Sequence, residues 1–227
     1  SPDGRRAALL GLLPSTLTIV DTDESSPTFL QNLVTAVPIP VNQPSALDID
    51  TQVRLTPDDR YALILLQLPG ATPGELARFD LLTGAFVDHD LTTAGIDNIG
   101  PQSLPPVLFG GAPHGFSLAQ SGRFAVIAGF SGCGWIGRLD LDPYDPNVFT
   151  WTPWSPAAPL QNAWSASLSA DETEVGIGSW QSSQCSTATS PMLVRLDAGT
   201  GLVLGTTNIP QNSNSATLQN LYTVAYR

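Results

Sequence analysis

Short apolar runs recur along this chain, each entered through a polar turn. "SPDGRRAALL" starts at Ser1, "TPDDRYALIL" at Thr56, "AQSGRFAVIAGF" at Ala119 and "SADETEVGIGSW" at Ser169. Asp, Gly, Pro and Ser are turn formers. An apolar run of about four to eight residues between turn signals reads as a strand, and "YALILL" and "FAVIAGF" are apolar enough for burial on both faces. The fourth motif departs from the others, since "SADETE" lacks both the Gly and the Arg.

Arg5, Arg60, Arg123 and Thr173 hold the same place in these motifs, at spacings of 55, 63 and 50 residues. A second pattern keeps step with the first. "LTIVD" (Leu17–Asp21), "LARFD" (Leu76–Asp80), "IGRLD" (Ile136–Asp140) and "LVRLD" (Leu193–Asp197) each end in Asp before a polar or glycine-bearing turn. Such an Asp hydrogen-bonds the next backbone amides. Each unit therefore reads as strand A, a tight turn, strand B, a loop, strand C, a tight turn and strand D. Strand A is visible in "TQVRL", "HGFSL" and "WSASL", and strand D, more weakly, in "AFVDHDL", "VFTWTPW" and "LVLGTTNI". The period is that of four-stranded propeller blades with long loops. The units run over about residues 1–44, 45–111, 112–162 and 163–220.

Composition supports the strands. Of 227 residues, 20 are Gly, 20 are Pro and only 13% are charged, which favours many short strands and turns over helices. The net charge is −11, with nine Arg and no Lys. That excludes the basic footprint of a nucleic-acid binder and is unsuited to anionic membrane surfaces. The longest apolar run, Tyr61–Leu68, is far shorter than the roughly 20 residues of a spanning helix.

"SPDGR", the apolar strand B and "LTIVDT" resemble the YVTN-type and WD-like β-propeller repeats of bacterial and archaeal proteins. The resemblance covers nearly the whole chain. It implies an all-β propeller, one domain over residues 1–227 with four four-stranded blades. It implies no single activity, because propellers host binding proteins and enzymes alike. "LYTVAYR" (221–227) reads as one more strand A, and the chain opens on the turn that should follow one. Either the ring closes with four blades, or the chain is part of a larger ring. Lacking an initiator Met and starting inside a motif, it reads as a processed product or a fragment.

In a propeller the B–C loops of neighbouring blades share one face. Cys133 and Cys185 fall in two such loops, so a disulfide between them is expected. It would imply an oxidising compartment, hence an extracellular, periplasmic or cell-surface location. His114, in "APHGFSL", stands at the mouth of strand A near the central channel, and by register Thr51 and Trp164 hold the equivalent rim positions. Trp135 and Trp180 flank the B–C loops on the same face. The competing role for these tryptophans is packing between blades. His89, in an outer strand, reads as solvated.

"DLDPYD" lacks the Gly and distal Glu of a calcium loop, and two Cys without nearby His are too few for a zinc site. No phosphate loop, HExxH, CxxC, haem-attachment or nucleophile-elbow motif is present. The expectation is a monomeric binding module without cofactor or metal. It would engage a protein, glycan or small ligand through His114, Trp135, Trp164, Trp180 and Asp50. Two rivals remain: a lactonase-like or other hydrolase at the channel mouth, with Asp50 and His114 as its candidates, and a structural spacer of a surface protein.

Overall fold

The computed structural model describes residues 1, 3–12, 14–39, 52–66, 75–87, 102–103, 112–130, 135–141, 149–154, 163–179 and 192–208. Their strands form four antiparallel sheets. The first holds β1 (Arg6–Leu12), β2 (Ser15–Asp21) and β3 (Asn32–Pro38) in that order. These are strands B, C and D of the first repeat, so among the described residues this sheet has three strands. The second runs β4 (Gln52–Leu55), β5 (Tyr61–Leu66), β6 (Glu75–Asp80), β7 (Ala85–Phe86). A short β8 (Gln102–Ser103) also pairs with β6. The third contains β9 (Ala112–Leu118), β10 (Phe124–Phe130), β11 (Trp135–Leu141) and β12 (Phe149–Trp154). The fourth contains β13 (Ala163–Leu168), β14 (Glu174–Ser179), β15 (Met192–Asp197) and β16 (Val203–Asn208).

Of the strand D read in "AFVDHDL", Ala85 and Phe86 pair with the end of β6, at Phe79 and Asp80, and the Val87 amide donates to the Arg78 carbonyl at 2.9 Å; residues 88–91 lie outside the described residues. The start of β6, Glu75 and Leu76, pairs instead with β8. Two short pieces thus share the outer position of the second sheet.

The four A–B turns have one geometry. In each, the fourth residue donates its amide to the first residue's carbonyl: Gly4 to Ser1, Asp59 to Thr56, Gly122 to Ala119 and Glu172 to Ser169, at 2.9–3.0 Å. All four donors have positive φ, 75°, 55°, 69° and 61°. Glycine takes this conformation without a Cβ clash. Asp59 and Glu172 take it too, so the missing glycine of "SADETE" does not change the turn. In three of the turns a hydroxyl completes the frame. Thr56 Oγ1 accepts from the Tyr61 amide at 2.9 Å, Ser169 Oγ from Glu174 at 2.9 Å and Ser1 Oγ from Arg6 at 3.0 Å.

The C–D turns answer the A–B turns. Thr22, Leu81, Leu141 and Ala198, each the residue after the strand-C Asp, donate to the carbonyls of Arg5, Arg60, Arg123 and Thr173 at 2.7–2.9 Å. Asp21, Asp80 and Asp197 accept from the amide two residues on, at 2.9, 2.8 and 3.1 Å. Both turns of every repeat therefore lie at one end of its sheet.

The core lies between sheets. Leu17 and Ile19 of the first sheet pack with Ala62, Ile64 and Phe79 of the second. Leu63, Leu65 and Leu76 leave the opposite face of the second sheet to meet Phe116, Ile127 and Leu139 of the third. Val126, Ala128 and Ile136 then meet Val175, Ile177, Val194 and Leu196 of the fourth. The middle strands β5 and β10 alternate between two cores, which is why their sequences are continuously apolar. Successive sheets stacked face to face in chain order are propeller blades. The arc of four is open: no core of buried residues joins the fourth sheet to the first among the described residues.

Candidate functional site

His114 and Trp164 stand at matching irregularities. In β9, Gly115 pairs with Ala128 and Pro113 with Gly129, so His114 is the extra residue of a β-bulge. In β13, Ser165 pairs with Gly178 and Ala163 with Ser179, so Trp164 is the extra residue. A bulge unpairs a residue and re-aims it, often beside a functional site. For His114 and Trp164 the register equivalence read from the sequence is thus a backbone equivalence, while Thr51 lies outside the described residues.

These two strands are held unusually close. A Cβ on Gly115 would lie 2.7 Å from the Ala166 nitrogen and 2.9 Å from the Ser165 carbonyl carbon. Ser117 Oγ accepts from the Leu168 amide at 3.0 Å further along the same pair of strands. The bulged residues each precede a member of the Gly115–Ser165 contact. His114 itself is half-buried. Its main-chain carbonyl accepts a hydrogen bond from the side-chain amide of Gln52, on the first strand of the second blade. The start of strand A in three consecutive blades is therefore tied together around His114.

Of the two roles the sequence leaves open for Trp135, ligand contact and packing between blades, the structure shows packing. Trp135 is 8% exposed and belongs to the core between the second and third blades. Its ring lies where a Cβ on Gly129 would be, and it meets Trp151 edge to face at 6.1 Å. Trp154 is buried likewise against Gly201 of the fourth blade. Packing between blades is thus the role of these tryptophans. The glycines facing them, Gly129 in "FAVIAGF" and Gly201 in "AGTG", are the signal that sequence reading missed. Asp50, Trp180, His89, Cys133, Cys185 and the 221–227 strand lie outside the described residues. Among the described residues no three His, Cys, Asp or Glu side chains gather as metal ligands would.

A cavity of about 330 Å³ opens near the other end of strand A. Ala8, Val53, Leu55 and Leu118 line it, with Arg54 as its cation. Arg54 donates to the Val53 carbonyl at 2.9 Å and to Gln52 Oε1 at 3.2 Å, and it lies 5.9 Å from the Phe116 ring centre. The sequence signal is an Arg where the next two A strands carry Ser117 and Ser167.

No protein-family model and no curated protein sequence matches the chain. Solved structures do. The β-propeller domain of Cps50 (Swd1) from Myceliophteria thermophila superposes with a TM-score of 0.58 at 14% identity, covering 91% of this chain and 58% of that one. Sqt1 from Chaetomium thermophilum, crystallised with the N-terminus of ribosomal protein L10, gives 0.58 at 15% identity, covering 92% and 47%. Hydrazine synthase from Kuenenia stuttgartiensis gives 0.53 at 12% identity, covering 87% and 51%. The chain spans about half the length of the solved structures it matches. At these identities the likeness concerns the fold, and with the stacked sheets it establishes a WD-like β-propeller arc.

Proposed function

We propose that this chain is a protein-binding module whose contact surface is the blade end bearing the bulges at His114 and Trp164. The observation that carries the reading is the recurrence of one backbone irregularity in neighbouring blades. A bulge interrupts the strand ladder, and keeping it in both blades fits a constraint on the backbone at this end of the two strands. Gln52 and Gly115 hold the strands bearing the bulges in a fixed relation, which limits the ordering cost of binding. The structure of Sqt1 with the N-terminus of L10 supports a peptide segment as the class of partner for such an arc.

The test is selection of phage-displayed peptides on the purified chain, followed by calorimetric titration against His114→Ala, Trp164→Ala and the double variant. Loss of tenfold or more in affinity, with an unchanged circular-dichroism spectrum, is expected of the double variant. Selected peptides that bind the double variant as tightly as the parent would place the contact surface elsewhere.

A further inference from the structure

Two register positions set how strand A of one blade meets strand A of the next. Counting back from Leu55, Leu118 and Leu168, Gln52 holds the place of Gly115, and Arg54 holds that of Ser117. Between the third and fourth blades both residues are small. Gly115 lets β9 lie against the backbone of Ser165 and Ala166, and Ser117 Oγ accepts from the Leu168 amide at 3.0 Å. Between the second and third blades both residues are long. Gln52 spans to the His114 carbonyl through its side chain, and β9 runs much closer to β13 than to β4. The cavity at Arg54 opens where these long side chains stand between the two strands.

Hydrogen-bond donors gather at this cavity. Ala119 donates to the Phe124 carbonyl and Ser169 to the Glu174 carbonyl, both at 2.9 Å. The amides one residue earlier, of Leu118 and Leu168, therefore turn away from their hairpins. Leu168 meets the hydroxyl of Ser117 there. Leu118 has Arg54 at that place instead, and a guanidinium only donates. Arg54 directs two bonds to neutral oxygens, the Val53 carbonyl and Gln52 Oε1. Desolvation lowers the pKa of its guanidinium, and no acidic group among the described residues acts to raise it. Neither Asp nor Glu lines the cavity among the described residues, and Ala8, Val53, Leu55 and Leu118 give it an aliphatic wall.

We propose that this cavity binds a small apolar monocarboxylate. One carboxylate oxygen accepts from the Leu118 amide, as Ser117 Oγ accepts from Leu168. The carboxylate pairs with the Arg54 guanidinium, a charge-assisted bond stronger than those Arg54 makes to neutral oxygens. The apolar body rests on the aliphatic wall. A volume of about 330 Å³ is at the small end for ligand pockets, which fits a single ring or a short chain. The site adjoins the A–B turn of the third blade, at the other end of β9 from the bulge at His114, so it is separate from the peptide surface.

Benzoate and benzamide share a shape and differ in charge, so they are the probes, titrated by calorimetry into the purified chain. Benzoate is expected to bind with about millimolar affinity, as suits a ligand of nine heavy atoms. Benzamide should bind roughly tenfold more weakly or worse, a loss of about 1.4 kcal/mol. Arg54→Ser gives β4 the hydroxyl that β9 already uses toward its neighbour. Its circular dichroism should match the parent's, while its benzoate affinity falls by a similar factor. Absence of saturable benzoate binding would show that the two donors are met otherwise and would overturn the proposal. Equal binding of the two probes overturns it on the unaltered chain, without recourse to a variant. Benzoate affinity unchanged in Arg54→Ser overturns it as well.

Discussion

Arg60 grips Asp80 with two parallel bonds, Nε to Oδ1 at 2.9 Å and Nη2 to Oδ2 at 2.8 Å. The pair joins the A–B turn to the end of strand C inside one blade. Burial alone pushes the Asp80 carboxyl up. Arg60 and the amides of Leu82 and Thr83 outweigh it, so the group stays below the usual carboxylate range. The hydroxyls of Ser26 and Thr28 lower Asp21, and those of Ser169 and Thr200 lower Asp171 and Asp197. A lowered folded-state value gives stability that is complete above the unfolded value and lost as pH falls through the folded one. Urea midpoints should therefore hold level down to about pH 4 and fall below it. Asp80→Asn should lower the neutral-pH thermal midpoint by a few degrees and flatten the acid slope. An acid slope identical to the parent's would mean that Asp80 does not contribute to it.

Thr56 is 4% exposed, and its hydroxyl both accepts from the Tyr61 amide and donates to Asp58 Oδ1 at 2.6 Å. Thr56→Val keeps the shape and leaves that amide without its acceptor, at a cost of about 1–3 kcal/mol. Thr56→Ser keeps the hydroxyl and should recover most of the loss. Equal midpoints for Val and Ser would show that the hydroxyl is not what holds the turn.

Strand order and turn chemistry were legible because each is local. Asp58 and Asp171 bond amides two residues away, at 3.1 and 3.2 Å, and the unbroken apolar run of β5 reports two buried faces directly. Trp135 was left between binding and packing because its burial depends on a glycine across the sheet and on the blade beside it, neither of which its neighbours in sequence reveal. The pairing of β8 with the start of β6 was not legible for a similar reason, since Gln102 and Ser103 arrive sixteen residues after Phe86. The bulges at His114 and Trp164 were approachable through register, and the close strand contact at Gly115 only through the fold.

Cys133 and Cys185 sit in B–C loops of adjacent repeats, and we propose that they are bonded. The unreduced protein should then weigh less by two hydrogen atoms, and neither thiol should react with maleimide until reductant is added. Replacing both by Ser should cost about 2–4 kcal/mol, chiefly by freeing the unfolded chain. Ready labelling of both thiols in oxidised protein would remove the bond, and with it the argument for an oxidising compartment.

Gly115 tests whether close approach of β9 and β13 is built into the fold. A methyl group there meets backbone atoms of Ser165 and Ala166 at 2.7–3.0 Å, and backbone cannot swing aside as a side chain can. Gly115→Ala must push the strands apart, which overpacking data put at about 1–3 kcal/mol. Gly205 is the control: a Cβ there meets nothing within 4 Å, and its φ is not positive. Gly205→Ala should move stability by less than about 0.5 kcal/mol. The comparison also bears on binding. Separating the strands displaces the bulged residues relative to each other, so Gly115→Ala should weaken any peptide selected on the parent even where the variant stays folded, while Gly205→Ala leaves it unchanged. If both variants unfold at the same urea concentration and bind alike, the strands are not held by this contact, and the pairing of the two bulges loses its physical basis.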